Sequence, residues 1–172
     1  PDEGGAIDAS TFRTDDGTLH LVWKNDGNCC GKDTWIQTAP LTPDGLALAG
    51  EPVRLLMQTE AWEGDLIEAP VIVERDGRWY LFYSANSYGG LDYAIGLATA
   101  DSPTGPWEKV EGPWMSTERT ESRYYGPGGQ DLVVGPDGVD FLVFHGWNAT
   151  ITERDLHVIP LDWEDGLPVP RF

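Results

Sequence analysis

Cysteine is almost missing from this sequence: Cys29 and Cys30 are the only two, and they are adjacent. A disulfide framework needs more of them, and a metal site usually draws on spaced ligands. The pair therefore reads as two free or locally paired loop thiols. Basic residues are also scarce, 11 against 29 acidic ones, for a net charge of −18 at pH 7. Nucleic acid and anionic membrane surfaces both require basic patches, so neither is expected as a partner. A neutral oligosaccharide or polysaccharide is compatible with the charge. No apolar run approaches the roughly 20 residues of a membrane-spanning helix. No glycine-rich nucleotide loop is present, and no cofactor is expected. A secretory leader is missing too, but Pro1-Asp2-Glu3 is not a start at Met. The chain reads as processed, truncated or excised, which leaves both a secreted and a cytoplasmic location open.

What is present is a globular composition, 40% hydrophobic and 11% aromatic, and a repeat. Three Asp-Gly pairs (Asp16-Gly17, Asp76-Gly77, Asp137-Gly138) each precede an apolar run: Leu19 to Trp23, Trp79 to Tyr83 and Phe141 to His145. Their glycines lie 60 and then 61 residues apart, and Gly45, Gly105 and Gly166 repeat that spacing. Self-similarity at a fixed period predicts a repeat architecture. Each unit contains four short apolar runs separated by Gly, Pro, Asn and Asp turns, the pattern of one four-stranded β-propeller blade. The expected fold is all-β, a single partial propeller with blades at about 6–62, 66–126 and 127–172.

Nine residues before the three turn glycines stand Asp8, Glu68 and Gly129. The innermost strands of a propeller surround its axis, so residues at equivalent ends of these strands converge. Glu68 precedes the apolar run Val71-Ile72-Val73, where an unpaired charge is costly and a carboxylate is usually paired or functional. Converging carboxylates suit cleavage of a glycosidic bond, which needs a protonated acid at the leaving oxygen and an ionised partner.

Ile7-Asp8-Ala9-Ser10, the run Asp15 to Lys24, Glu68-Ala69-Pro70 and Gly126-Pro127-Gly128-Gly129-Gln130 follow one another at blade spacing, and together they resemble glycoside hydrolase family 43. That family comprises five-bladed propellers that cleave arabinose- and xylose-containing polysaccharides with inversion. The resemblance implies that Glu68 is the general acid. It implies that Asp8 raises the acid's pKa by like-charge proximity and orients it. The catalytic base would be an Asp of the first blade. No residue here matches its motif, so about two N-terminal blades are expected to lie outside this chain. A companion segment or a second copy would then complete the ring. The family often carries a histidine after Gly-Pro-Gly, on the axis, where a central calcium ion can bind. Here Gly129 and Gln130 follow instead, so no metal site is assigned.

Other candidates carry open alternatives. Trp62 is a sugar-stacking platform or packing between blades. Tyr88 is a substrate contact or an ordinary loop aromatic. Gln130 is a neutral hydrogen-bonding group toward sugar. His145 is a site residue or a structural strand histidine, in line with Lys24 and Ser84 of the other blades. Arg123 is a hydroxyl ligand or a surface residue. Glu63 and Asp65 flank Gly64 in what reads as an exposed loop, where both would be solvated. Asn148-Ala149-Thr150 fits a glycosylation sequon. The alternative to an inverting glycosidase is a catalytically inactive carbohydrate-binding or scaffold propeller.

Overall fold

A computed structural model describes residues 3–172; Pro1 and Asp2, on which the reading of the chain start partly rests, lie outside the described residues. Among the described residues, twelve strands form three four-stranded antiparallel sheets. The first contains β1 (Ala6–Arg13), β2 (Leu19–Asn25), β3 (Trp35–Pro40) and β4 (Val53–Met57). The second contains β5 (Ile67–Arg75), β6 (Arg78–Ala85), β7 (Ala94–Ala100) and β8 (Glu108–Lys109). The third contains β9 (Tyr125–Val134), β10 (Asp140–Trp147), β11 (Arg154–Glu164) and β12 (Leu167–Pro170), starting slightly ahead of the expected 127. Within each sheet the strands lie in chain order. The first strands are innermost, β1 beside β5 and β5 beside β9, as in successive propeller blades.

The apolar pattern of β6 explains the stacking. From Trp79 to Ala85 every residue is buried, because the middle sheet is covered on both faces. Successive side chains point to opposite faces. Trp79, Leu81 and Tyr83 join Phe12, Val22, Ile36 and Leu56 in the core shared with the first sheet. Tyr80 and Phe82 join Leu142, Phe144, Ile159 and Leu161 in the core shared with the third. The third sheet turns one face inward and exposes the other: Leu156 and Val158 of β11 point outward while Ile159 and Leu161 are buried.

Hairpin turns at the end remote from Glu68 reuse one device. Thr14 and Thr42 hydroxyls donate to Asp16 and Asp44, whose carboxylates also accept the backbone N–H of Thr18 and Leu46. These bonds to the charged form hold the exposed Asp16 carboxyl down at about 2, and lower that of Asp44 as well. At the other end, Cys29 and Cys30 form a disulfide between neighbours within a short 3-10 turn, Gly27–Cys30, so of the two readings local pairing holds.

Candidate active site

Every innermost strand carries the same irregularity near its start. Three residue steps from Ile7 to Ser10 oppose two from Lys24 to Val22. The same mismatch recurs from Glu68 to Val71 against Ser84 to Phe82, and from Gly128 to Asp131 against His145 to Val143. These are β-bulges, each with one extra residue held at positive φ: Asp8 at 55°, Ala69 at 48° and Gly129 at 58°. Only the third is glycine. A side chain in this conformation costs about 1–2 kcal/mol, and such strain concentrates at functional sites. The three bulges line one cleft of about 510 Å³ formed by residues 8–11, 69–71 and 129–131.

The register revises the equivalence of Asp8 and Glu68. The conformational counterpart of Asp8 is Ala69; Glu68 stands one residue earlier, opposite Ser84, as Ile7 stands opposite Lys24. Counting back from the turn glycine slips by one in the middle blade. There a two-residue turn joins Arg75 to Arg78, whereas longer connections join Arg13 to Leu19 and Val134 to Asp140. The two carboxylates are still neighbours along the bulge, since Asp8 Oδ2 accepts the backbone N–H of Ala69 at 3.0 Å.

The Glu68 side chain is 13% exposed and fixed at both oxygens. Lys24 Nζ, from β2 of the preceding blade and almost fully buried, lies 3.0 Å from Oε2. The Tyr93 hydroxyl donates to Oε1 at 2.8 Å. Burial first, and then the Glu68 charge, push the Tyr93 hydroxyl far above its ordinary value, so it stays a donor throughout the neutral range. Tyr93 stacks on His145, ring centroids 5.8 Å apart and 8° from parallel. This pair explains two glycines. A Cβ on Gly128 would lie 2.0 Å from the Tyr93 ring, and one on Gly129 would lie 2.7 Å from the His145 ring. Burial lowers the His145 pKa, with Arg154 and His157 adding to the effect, and its Nδ1 is enclosed without a hydrogen-bond partner among the described residues.

Gln130 is buried and its amide is engaged within the protein. It accepts from Ser84 Oγ at 2.7 Å and donates to the Ala69 carbonyl at 2.7 Å, tying β9 to β5 and β6. With that amide engaged and no side chain at Gly129, neither residue offers a free side-chain ligand to an ion on the axis. No cluster of three or more His, Cys, Asp or Glu suited to a metal occurs among the described residues. Lys24, Ser84 and His145 occupy equivalent positions on the second strands, as their spacing predicts. Lys24 and Ser84 each reach the next blade's bulge segment.

The remaining candidates lie apart from this contact set. Trp62 is half-buried, stacks on Tyr83 at 6.2 Å and also lines a second cleft, so it packs between blades and faces an opening at once. Tyr88 is exposed, with the Arg154 guanidinium 5.4 Å from its ring centre. Arg123 lies over Phe172. Asp65 is exposed as expected, but Glu63 is fully buried. Its carboxylate meets Lys109 Nζ at 2.6 Å, accepts the Tyr83 hydroxyl at 2.8 Å, and accepts the backbone N–H groups of Thr59 and Glu60. The sequence reading misplaced it because Lys109, the cation that makes burial affordable, comes from β8. Lys24 and Tyr93 were missed as partners of Glu68. The only available signal was the lysine itself, a charge closing the apolar run Leu19 to Trp23.

Comparison with known proteins identifies the family and the fold. The family described as glycosyl hydrolases family 43 matches residues 1–168. Alpha-L-arabinofuranosidase 43 of Humicola insolens is 29% identical, over 96% of this chain and 38% of its own length. A thermostable family-43 glycoside hydrolase of known structure superimposes with a TM-score of 0.85 at 32% identity, covering 97% of this chain and 58% of that one. An endo-1,4-beta-xylanase from Bacteroides thetaiotaomicron does so with a TM-score of 0.85 at 29% identity and the same coverage. The chain thus spans well under two thirds of the proteins it matches, and its three sheets are blades of their propeller. The chain belongs to glycosyl hydrolase family 43.

Proposed function

We propose that this chain carries the proton donor of an inverting glycosidase acting on arabinose- or xylose-containing polysaccharide. The observation behind this reading is the Glu68 carboxylate, nearly buried, held by Lys24 and Tyr93, and adjoining a strained bulge that Asp8 bonds. The names of the relatives, an arabinofuranosidase and a xylanase, support the two sugar classes. Protonated Glu68 delivers its proton to the glycosidic oxygen as the bond from that oxygen to the anomeric carbon breaks, and the carboxylate left behind is the form that Lys24 and Tyr93 hold. Asp8 fixes the backbone beside the acid through the Ala69 N–H. Water attacks the opposite face of the sugar and gives up its proton to a base roughly 6.5–9.5 Å from the acid. That base belongs to a segment outside these 172 residues, in a companion polypeptide or a longer form of the chain.

The test is Glu68→Gln in the protein that contains this chain, with its base-bearing part present. The expected result is a kcat loss of about 10²–10⁴-fold with saccharide binding retained. Undiminished hydrolysis of unactivated arabino- and xylo-oligosaccharides, whose sugar leaving group needs the proton, would rule out Glu68 as the acid.

A further inference from the structure

We propose that a second cleft, on the same end of the blades as Glu68 but separate from the bulge cleft, binds a distal sugar unit of the polysaccharide; this rests on the glycosidase reading above. The cleft measures about 530 Å³. Three loops build it, and the strand order places all three at the end where β5 begins. The loop before β5 contributes Trp62, the β6–β7 connection contributes Leu91 and Asp92, and the β8–β9 connection contributes Pro113 and Glu118. Ala94, at the start of β7, also lines it.

The lining has the two-sided character that sugars require. Trp62, Leu91 and Pro113 present apolar surface suited to the C–H face of a sugar ring. Asp92 and Glu118 are exposed, and their carboxylates have no hydrogen-bond or ionic partner among the described residues, which leaves four oxygens free to accept sugar hydroxyls. The walls are tied in place before any ligand arrives. Thr117 Oγ1 donates to the Leu91 carbonyl at 2.8 Å and accepts the Gly126 N–H, and Asn86 donates to the Trp62 carbonyl at 2.9 Å. Little conformational entropy is then lost on binding. Asp92 immediately precedes Tyr93, whose hydroxyl bonds Glu68. The cleft wall at Asp92 is thus one peptide away from the buried residue that positions the acid. The unpaired carboxylates exclude an acidic ligand and favour a neutral saccharide.

The experiment is calorimetric titration with xylotetraose and with arabinotetraose, in the protein that contains this chain and in a Glu68→Gln background that prevents turnover. Asp92→Asn and Glu118→Gln, both at exposed positions, are added together, and an unchanged circular dichroism melt confirms the fold. At least tenfold weaker binding of one of the tetrasaccharides is expected. Equal binding with and without the two substitutions overturns the second cleft and leaves the role of Glu68 standing. If neither tetrasaccharide binds, the cleft proposal also fails. The glycosidase reading then falls with it only if the unsubstituted protein also fails to hydrolyse aryl arabinofuranoside and xyloside.

Discussion

Replacing Glu63 with alanine removes an anion that four groups depend on. Lys109 Nζ lies 2.6 and 2.7 Å from its two oxygens, the Tyr83 hydroxyl 2.8 Å away, and the Thr59 and Glu60 N–H groups within 2.9 Å. The carboxylate is wholly inaccessible to water and the lysine side chain is 12% exposed. After substitution the hydrogen-bond partners left to Lys109 among the described residues are the Met57 carbonyl and the Thr59 hydroxyl. Breaking a buried pair on one side costs about 3–5 kcal/mol, because the surviving charge stays out of water. In a domain of this size each kcal/mol moves Tm by about 2–4 °C, so a fall of roughly 10 °C is expected. Calorimetric melts of Glu63→Ala, Lys109→Met and the double variant check it. The double variant should be less damaged than the sum of the singles by at least ~2 kcal/mol, since it leaves no orphan charge. Strictly additive losses, or a Glu63→Ala loss below ~1 kcal/mol, would refute the argument that the pair is a buried, mutually dependent unit.

Gly129→Ala places a methyl group against the His145 ring and forces alanine to positive φ. A loss of at least ~1–2 kcal/mol is expected in urea denaturation, with Tyr93 and His145 ring signals shifted in proton NMR. The folded-state pKa of His145 lies below its ordinary 6.5. Stability from its neutral form is therefore complete above about 6.5 and is lost as pH falls toward the folded value. His145→Gln should flatten that part of the stability–pH curve, and an unchanged curve would assign the slope elsewhere. Asp16, held at about 2, contributes stability that is present above the ordinary 3.8 and lost only as pH falls toward about 2. Its carbon-13 carboxyl titration by NMR should show the low midpoint, and Thr14→Ala should raise it.

The blades were legible because glycine and hydrophobic spacing are local. A turn needs its Asp-Gly, and a strand covered on both faces needs an uninterrupted run such as Trp79 to Tyr83. The candidate acid was legible because a carboxylate ahead of such a run stands out. Relations that cross blades were not. Glu63 looked like a loop acid until Lys109 arrived from β8, and Lys24 looked like a strand end until it met Glu68. Gln130 suggested a contact for sugar, yet its amide is occupied by Ser84 and the Ala69 carbonyl. The slip between Asp8 and Glu68 has the same origin. Turn length is encoded at one end of the strand and the bulge at the other, and equal spacing conceals a shorter turn offset by a longer strand.

The bond between Cys29 and Cys30 has an unusual thermodynamic position. Most disulfides stabilise by forbidding extended conformations of the unfolded chain, an effect that grows with the number of residues enclosed. This one joins sequence neighbours and encloses none. Its influence is confined to the shape of one short turn near the Glu68 end of the first blade. Reducing agents should alter the local loop while leaving the melting transition of the sheets where it was. The oxidation state of this pair then records the chemical surroundings of the protein without governing whether it stays folded.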